Sequence, residues 1–384
     1  MDQANTNQPT KFMQLLKPIF CFAGLAALLL FAGCEDDMGG AQRPCESDFD
    51  QQALFAHTAD EIILPGYTAL EMSANNLHAA AFDFAEAPSP QTLADARAAF
   101  EAAYLSWQEV AQFGFGPAEA VALRATLNNF PLNISALESK IEGEDYDFTN
   151  PNTFDKGFPA LDYLLYGLGD GSAEAVAAQF ADAKYATFLT EQTAFIADAA
   201  KTVSDAWKNE YRDQFVVNEG TAAGASLSQI INGLNEHYEM IKRDKIGIPA
   251  GVVTLGFTNP DKVEAPHSGL SLVLAQRALL AAERFYLGIG QDGQNGPGLD
   301  DYLEAVNATK EGESLNARIQ QQFEAAKAAL AAVPAPLRTA VDDNNDLTVT
   351  AYNEITKQIV NIKTDMPSVL CVAITYIDNP SDSD

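Results

Sequence analysis

Basic residues are scarce in this chain: 23 Lys and Arg stand against 53 Asp and Glu among 384 residues, a net charge of −30. A surface so acidic repels phosphate backbones and anionic lipid, which makes nucleic acid and anionic membranes poor partners. Histidine is scarce too. His57, His78, His237 and His267 lie far apart, and there is no His-Glu-x-x-His and no cysteine pair at zinc spacing. Each reads as a packing or surface residue, although His267, which follows Pro266 at a helix start near Glu264 and Ser268, is the one placed to lend an imidazole to a site. The glycine-rich stretch 288–298 holds no Lys or Arg and reads as a loop, not a phosphate cradle. In 342–346 acids alternate as in a calcium loop. Leu347 stands at the turn glycine and Asn353 at the closing glutamate, so these aspartates read as helix caps.

What is present begins with a secretion signal. Residues 1–33 carry Lys11 and Lys17, an apolar run over 19–31, then small residues before a cysteine. That run of 13 residues is short of the roughly 20 a spanning helix needs, and no later segment is long and uncharged enough to span a bilayer. Leu30-Phe31-Ala32-Gly33-Cys34 reads as a lipobox, in which Cys34 carries acyl chains and anchors the protein in the cell envelope, at the outer membrane facing the periplasm or the cell surface. Phe31 stands where leucine is usual, and ordinary cleavage nearby is the alternative. Residues 35–48 form a polar tether with Gly39, Gly40 and Pro44. Removing the signal, with its two lysines and one aspartate, takes the net charge from −30 to −31. Cys21 leaves with the signal and Cys34 takes lipid, so Cys45 and Cys371 remain as a disulfide pair for an oxidising compartment; two free thiols are the alternative.

Beyond the tether the pattern is all-α. In 89–113, Pro90 opens a segment whose Leu93, Phe100, Tyr104, Trp107 and Ala111 share one helical face. Similar stretches cover 50–86, 117–142, 173–208, 221–245, 265–288, 313–332 and 336–365, with Pro131 expected to kink the third run. Two helical-bundle halves are expected, 49–215 and 216–384, because a body this long exceeds one core. Residues 368–377 are β-rich and predict either one strand or an extended tail.

Trp107-Gln108-Glu109-Val110-Ala111-Gln112-Phe113-Gly114-Phe115-Gly116-Pro117 resembles the Trp-to-Phe-Gly-Pro passage of the imelysin family, and Asn129-Phe130-Pro131 its Asn-x-Pro helix. Gly157-Phe158-Pro159-Ala160-Leu161-Asp162-Tyr163-Leu164-Leu165-Tyr166-Gly167 is similar to its Gly-x-His-x-x-Glu motif and the Tyr-Leu-Leu-x-Gly that follows. The resemblance implies two helical bundles around a pocket near the motif, on an envelope protein of iron or haem uptake, with an outer-membrane receptor as partner. It also implies a metallopeptidase grouping. Here Pro159 replaces the motif histidine and Asp162 the glutamate, so one of the two metal ligands is gone and the other is shortened.

The motif therefore points to ligand binding without catalysis, with Asp162 as the first ligand-contacting group. Gly157, Tyr163, Tyr166 and Trp107 would line the pocket, and Glu119, Arg124, Asn133, Glu138 and His267 would add polar groups. The aromatic set around them also reads as core. Two other readings stay open: a metal-dependent peptidase in which His267 replaces the lost imidazole, and an interaction scaffold with a vestigial pocket, which predicts no cavity along 157–166.

Overall fold

Helical periodicity becomes helix through most of residues 47–376, the part of the chain that the computed structural model describes. The longer helices are α1 (Leu64–Glu86), α2 (Pro90–Val110), α3 (Gly157–Tyr166), α4 (Ala183–Ala206), α5 (Ser226–Met240), α6 (Ser271–Tyr286), α7 (Leu315–Ala331) and α8 (Asp346–Ile359). The start of α2 shows why the local sequence folds as it does. Ser89 and Thr92 each accept from the other's backbone N–H at 3.2 Å, a reciprocal cap, and Pro90 sits in the first turn where its missing N–H costs nothing. One face of α2, with Leu93, Ala96, Phe100, Tyr104 and Trp107, is then buried.

Helices α1, α2 and α4 pack side by side, with α3 laid against α2 and α4; α5, α6, α7 and α8 form a second group. The chain leaves the first group at Val217 and enters the second at Ser226. The seam is α2 against α6, where Arg277 pairs with Glu109 at 2.9 Å and the Gln112 amide donates to the Ala281 carbonyl at 3.1 Å. Buried side chains run across this seam as one core.

Three expectations change in detail. The aspartates of 342–346 do not cap a helix: Asp342 and Asp343 end the helix Leu337–Asp343, Asn345 at the start of α8 makes no side-chain cap bond, and Asn344 accepts from the Asp346 N–H at 3.3 Å. The 117–142 run is three short helices, Pro117–Ala120, Leu123–Leu127 and Ile134–Gly143. Pro131 lies between helices where a kink within one was expected: the preceding helix stops at Leu127, residues 128–133 leave the axis, and Asn133 caps a new helix by accepting from the Ala136 N–H at 3.1 Å. At the other end, 368–370 complete the helix Met366–Leu370, and 372–376 run on without strand pairing. This is the extended tail, not the strand. Asn232 holds it from both sides, donating to the Ala373 carbonyl at 3.0 Å and accepting from the Thr375 N–H at 2.6 Å. Among the described residues the one sheet is the hairpin Thr309–Lys310 with Glu313–Ser314.

No helix among the described residues is long and apolar enough to cross a membrane. Cys371 is disulfide-bonded. The signal, Cys34, Cys45 and most of the tether lie outside the described residues.

Candidate functional site

Helix α3 starts at a position only glycine can fill. Gly157 has φ of +73°, and a Cβ there would stand 2.3 Å from the Leu127 carbonyl oxygen. Pro159 follows in the first turn, buried. Asp162, one turn on and fully buried, points across to the segment that leads into α6, where Oδ2 accepts from the His267 N–H and Oδ1 from the Ser268 N–H, each at 2.9 Å. Burial raises the Asp162 pKa, and these donors oppose the rise. Both carboxylate oxygens are thus committed to holding a turn of the second helical group.

The His267 ring packs edge-on against Tyr163, with centroids 5.3 Å apart. It lies so close to Gly167 that a Cβ there would meet Nδ1 at 2.6 Å. Burial holds the His267 imidazole below its ordinary pKa, against the pull of Asp162. The Tyr163 hydroxyl donates to Glu138 at 2.7 Å, and Tyr185 donates to the same carboxylate at 2.5 Å. Burial and this carboxylate drive both phenols upward. Tyr166 lies half-buried beneath Arg97, whose guanidinium carbon is 4.4 Å from the ring centre, and burial pushes its pKa to about 12.

Beside this clasp lies a buried ion pair. Lys245 and Glu264 side chains are 5% and 1% exposed and in direct contact. Lys245 also donates to Gln108 at 2.9 Å, while Glu264 accepts from Gln108 at 3.2 Å and from Asn128 at 2.7 Å. Tyr104 donates in turn to Asn128 at 2.7 Å. The network joins α2 and the 128–133 loop to the second helical group. Trp107, Arg124, His237 and Lys245 surround a void of about 10 Å³ next to it, room for about one water. Arg124 pairs with Glu236 at 2.5 Å. Burial first, then the Lys245 and Arg124 charges, push the His237 pKa down to about 3.

A larger cavity of about 390 Å³ opens above these clusters, walled by Pro131, Leu132, Ile134, Pro159, Val263 and Pro266. His267 and Glu264 reach it, and Arg338, paired with Asp261 at 2.5 Å, lies at its exposed rim. Proline at 159 therefore puts an apolar ring on a cavity wall where the family motif has an imidazole.

The structure brings Gly157, Asp162, Tyr163, Glu138 and His267 together around α3, with Tyr166 on its far end. Trp107 and Arg124 belong to the neighbouring void. Glu119 joins neither: it is exposed on the helix Pro117–Ala120. Asn133 is spent on its helix cap. Lys245, Gln108, Asn128 and Tyr104 were not singled out from the sequence, and Glu264 entered only as a neighbour of His267. Their one sequence signal is that 246–260, between Lys245 and the Asp261–Glu264 segment, contains no charged residue.

An iron ion needs several open donors. Here both Asp162 oxygens accept backbone N–H groups, Glu264 is paired with Lys245, and His267 is the one imidazole. This donor set does not fit a bare metal ion, and among the described residues no three His, Cys, Asp or Glu side chains gather as a metal group. A single imidazole on an apolar wall is, by contrast, the kind of donor haem takes.

Residues 63–362 match the imelysin family. The chain is 24% identical over 289 residues to iron-regulated protein A of Synechococcus elongatus, across 73% of this chain and 75% of that protein. Its fold is similar to the crystal structure of a protein described as an iron-regulated protein A precursor from Parabacteroides distasonis, with a TM-score of 0.69 and 17% identity over 86% of this chain and 97% of the other. An imelysin-like protein from Psychrobacter arcticum aligns with a TM-score of 0.67 and 17% identity over 86% and 99% of the two chains. With the match running over most of its length, and with the motif helix clasped between two helical groups, this chain belongs to the imelysin family.

Proposed function

We propose that the protein is a non-catalytic binding component of the cell envelope that serves iron acquisition. The observation that carries the non-catalytic part is Asp162: its two oxygens hold the His267 and Ser268 amides, and Pro159 offers no ligand atom beside it. A metallopeptidase needs an open metal to activate water, and this constellation has neither the ligands nor the free carboxylate. The binding part is supported by the cavity of about 390 Å³, within the roughly 300–1,000 Å³ of small-molecule sites. Its apolar walls and one imidazole, with the Arg338–Asp261 ion pair at the rim, suit a flat, largely apolar group such as haem. A vestigial scaffold would leave no cavity along α3, whereas Pro159 lines one.

The names of the relatives support the iron setting. The signal and lipobox support an envelope location, with Cys34 as the membrane anchor and an outer-membrane uptake receptor as the partner. Purified chain lacking the signal is titrated with haemin and, separately, with ferric citrate, followed by absorbance and calorimetry. Saturable haemin binding that Ile134→Arg and His267→Ala each weaken supports the reading. Binding of neither probe, together with chelator-sensitive cleavage of casein, overturns it in favour of the peptidase. The anchor is tested separately, by palmitate labelling of the full chain that Cys34→Ala abolishes.

A further inference from the structure

Residues 246–260 form an uncharged stretch of 15 residues in a chain where one residue in five is charged. Its tip exposes its apolar side chains: Leu255 is 95% exposed, Phe257 75%, Val253 45% and Val252 37%. The loop is nonetheless built. Thr254 Oγ1 donates to the Phe257 carbonyl at 2.7 Å, Asn259 donates to that carbonyl at 2.7 Å and to the Ile248 carbonyl at 3.2 Å, and Asn345 donates to Ala250 at 2.7 Å. Gly251 and Gly256 turn the backbone with φ of +77° and +87°. Just beyond its two ends, the buried Lys245–Glu264 pair clamps the loop shut.

Leu255 itself has φ of +56°. A leucine in the left-handed region is strained, and glycine or asparagine would relax it. It is strained and almost wholly in water, so it does nothing for the stability of the isolated fold. An apolar residue kept where folding disfavours it points to a surface it meets outside the fold.

We infer that the 252–257 tip is a membrane-contact loop that inserts Leu255 and Phe257 into the interfacial region of a zwitterionic lipid surface. The inference takes only proximity from the proposed envelope anchor. Residues 35–48 span roughly 45–50 Å when extended, while a body of this length has a radius of gyration of roughly 20 Å. On a body roughly 50 Å across, a tether of that length brings to the bilayer the faces within about a quarter turn of residue 48. Tethering also turns loop insertion into an intramolecular step, so a weak intrinsic affinity suffices. The charge pattern selects the lipid. An anionic leaflet repels a body of net charge −31, and the loop between positions 246 and 260 adds no cation to offset that repulsion. An interfacial contact made of Leu, Phe and Val, with threonine and asparagine to meet headgroups, needs no charge.

The test uses the chain lacking its signal and not acylated, mixed with vesicles of phosphatidylcholine alone or with phosphatidylglycerol added, and read by co-flotation. The expected result is binding to phosphatidylcholine vesicles that falls when phosphatidylglycerol is added. Leu255→Asp with Phe257→Asp is expected to lower it about 100-fold or more. Leu255→Gly separates this role from a structural one: it relieves the positive φ, so it weakens vesicle binding while the melting temperature holds or rises. Equal binding by wild type and the double variant overturns the inference, as does a wild type that ignores both vesicles. So does a fall in melting temperature with Leu255→Gly, or a self-association lost with Leu255→Asp in the absence of lipid. None of these readings depends on acylation at Cys34 or on the ligand cavity.

Discussion

Replacing Lys245 by methionine should cost this protein about 3–5 kcal/mol. Lys245 and Glu264 are 5% and 1% exposed, so neither charge has water to fall back on. Taking away the ammonium leaves the Glu264 carboxylate buried with only the Gln108 and Asn128 amides as donors. Breaking a buried pair from one side has that magnitude because an uncompensated charge remains, and it is a fifth or more of the roughly 5–15 kcal/mol that holds a domain together. Glu264→Leu alone strands the lysine and should do similar damage. The double variant K245M/E264L removes both charges. What it loses is the acceptor for two neutral amides, about 1–3 kcal/mol for each left unsatisfied, so its destabilisation should fall below the sum of the singles by 2 kcal/mol or more. A pH signature accompanies this. Burial depresses the Lys245 pKa, with Glu264 opposing, so below the ordinary lysine value of about 10.4 the unfolded chain binds the extra proton. Stability from this group is therefore fully present above that value and lost as pH falls through the folded pKa; the slope disappears in K245M. Urea unfolding read by tryptophan emission is suitable, since Trp107 lines the void that Lys245 also faces. Additive singles, or singles below about 1 kcal/mol, would refute the claim that the pair acts as one buried unit.

Asp162→Asn keeps the shape but sets an amide donor against a backbone N–H, and should lose about 2–5 kcal/mol; hydrogen exchange at the His267 and Ser268 amides speeds up, and unchanged protection there contradicts the clasp. His237, with its pKa pushed down to about 3, contributes stability that is fully present above its ordinary value of about 6.5 and lost as pH falls toward 3, on the order of 4–5 kcal/mol in total. His237→Gln should flatten that acid limb, and an unchanged pH profile argues against a buried neutral imidazole. Gly157→Ala combines positive φ with a carbonyl 2.3 Å away and should lose at least about 3 kcal/mol; a wild-type melting temperature would mean that α3 begins differently.

The helices were legible because they follow local rules. The α2 segment carries its cap, its first-turn proline and its buried face within 21 residues, and nothing distant changes them. The break at Pro131 was not legible as a break. Whether a proline kinks or ends a helix depends on where residues 128–133 must go, and that is set by Asn128 reaching Glu264, 136 positions along the chain. His267 could be flagged from the sequence because its place after Pro266, just ahead of a helical run, is local, although the helix itself begins only at Ser271. The partners of Asp162 could not, because they are backbone amides 105 and 106 residues away, and every non-proline residue has one. Lys245 and Glu264 are hidden for another reason. In a chain that is 20% charged, a buried lysine or glutamate looks like the many solvated ones, and the uncharged 246–260 stretch between these two marks a loop without saying that its flanking charges are buried.

Residues outside the motif hold the Asp162 carboxylate, and this has a consequence for the family's two-residue pattern. Rebuilding that pattern with P159H/D162E should not create a metal site. Position 159 faces the cavity and can accept an imidazole. Position 162 is fully buried, and the 2.9 Å contacts on both oxygens fix the distance between α3 and the 267–268 turn. One more methylene there either displaces the turn, at about 1–3 kcal/mol for overpacking, or leaves the longer carboxylate bonded to the same two amides. In either case its oxygens face the 267–268 turn and not the cavity that Pro159 lines, so a metal at position 159 would hold through one imidazole alone. Metal analysis of the purified double variant, with zinc and ferrous iron supplied, should find no stoichiometric metal. Stoichiometric, chelator-removable metal would show that positions 159 and 162 by themselves decide metal binding, and that the clasp made by the second helical group does not.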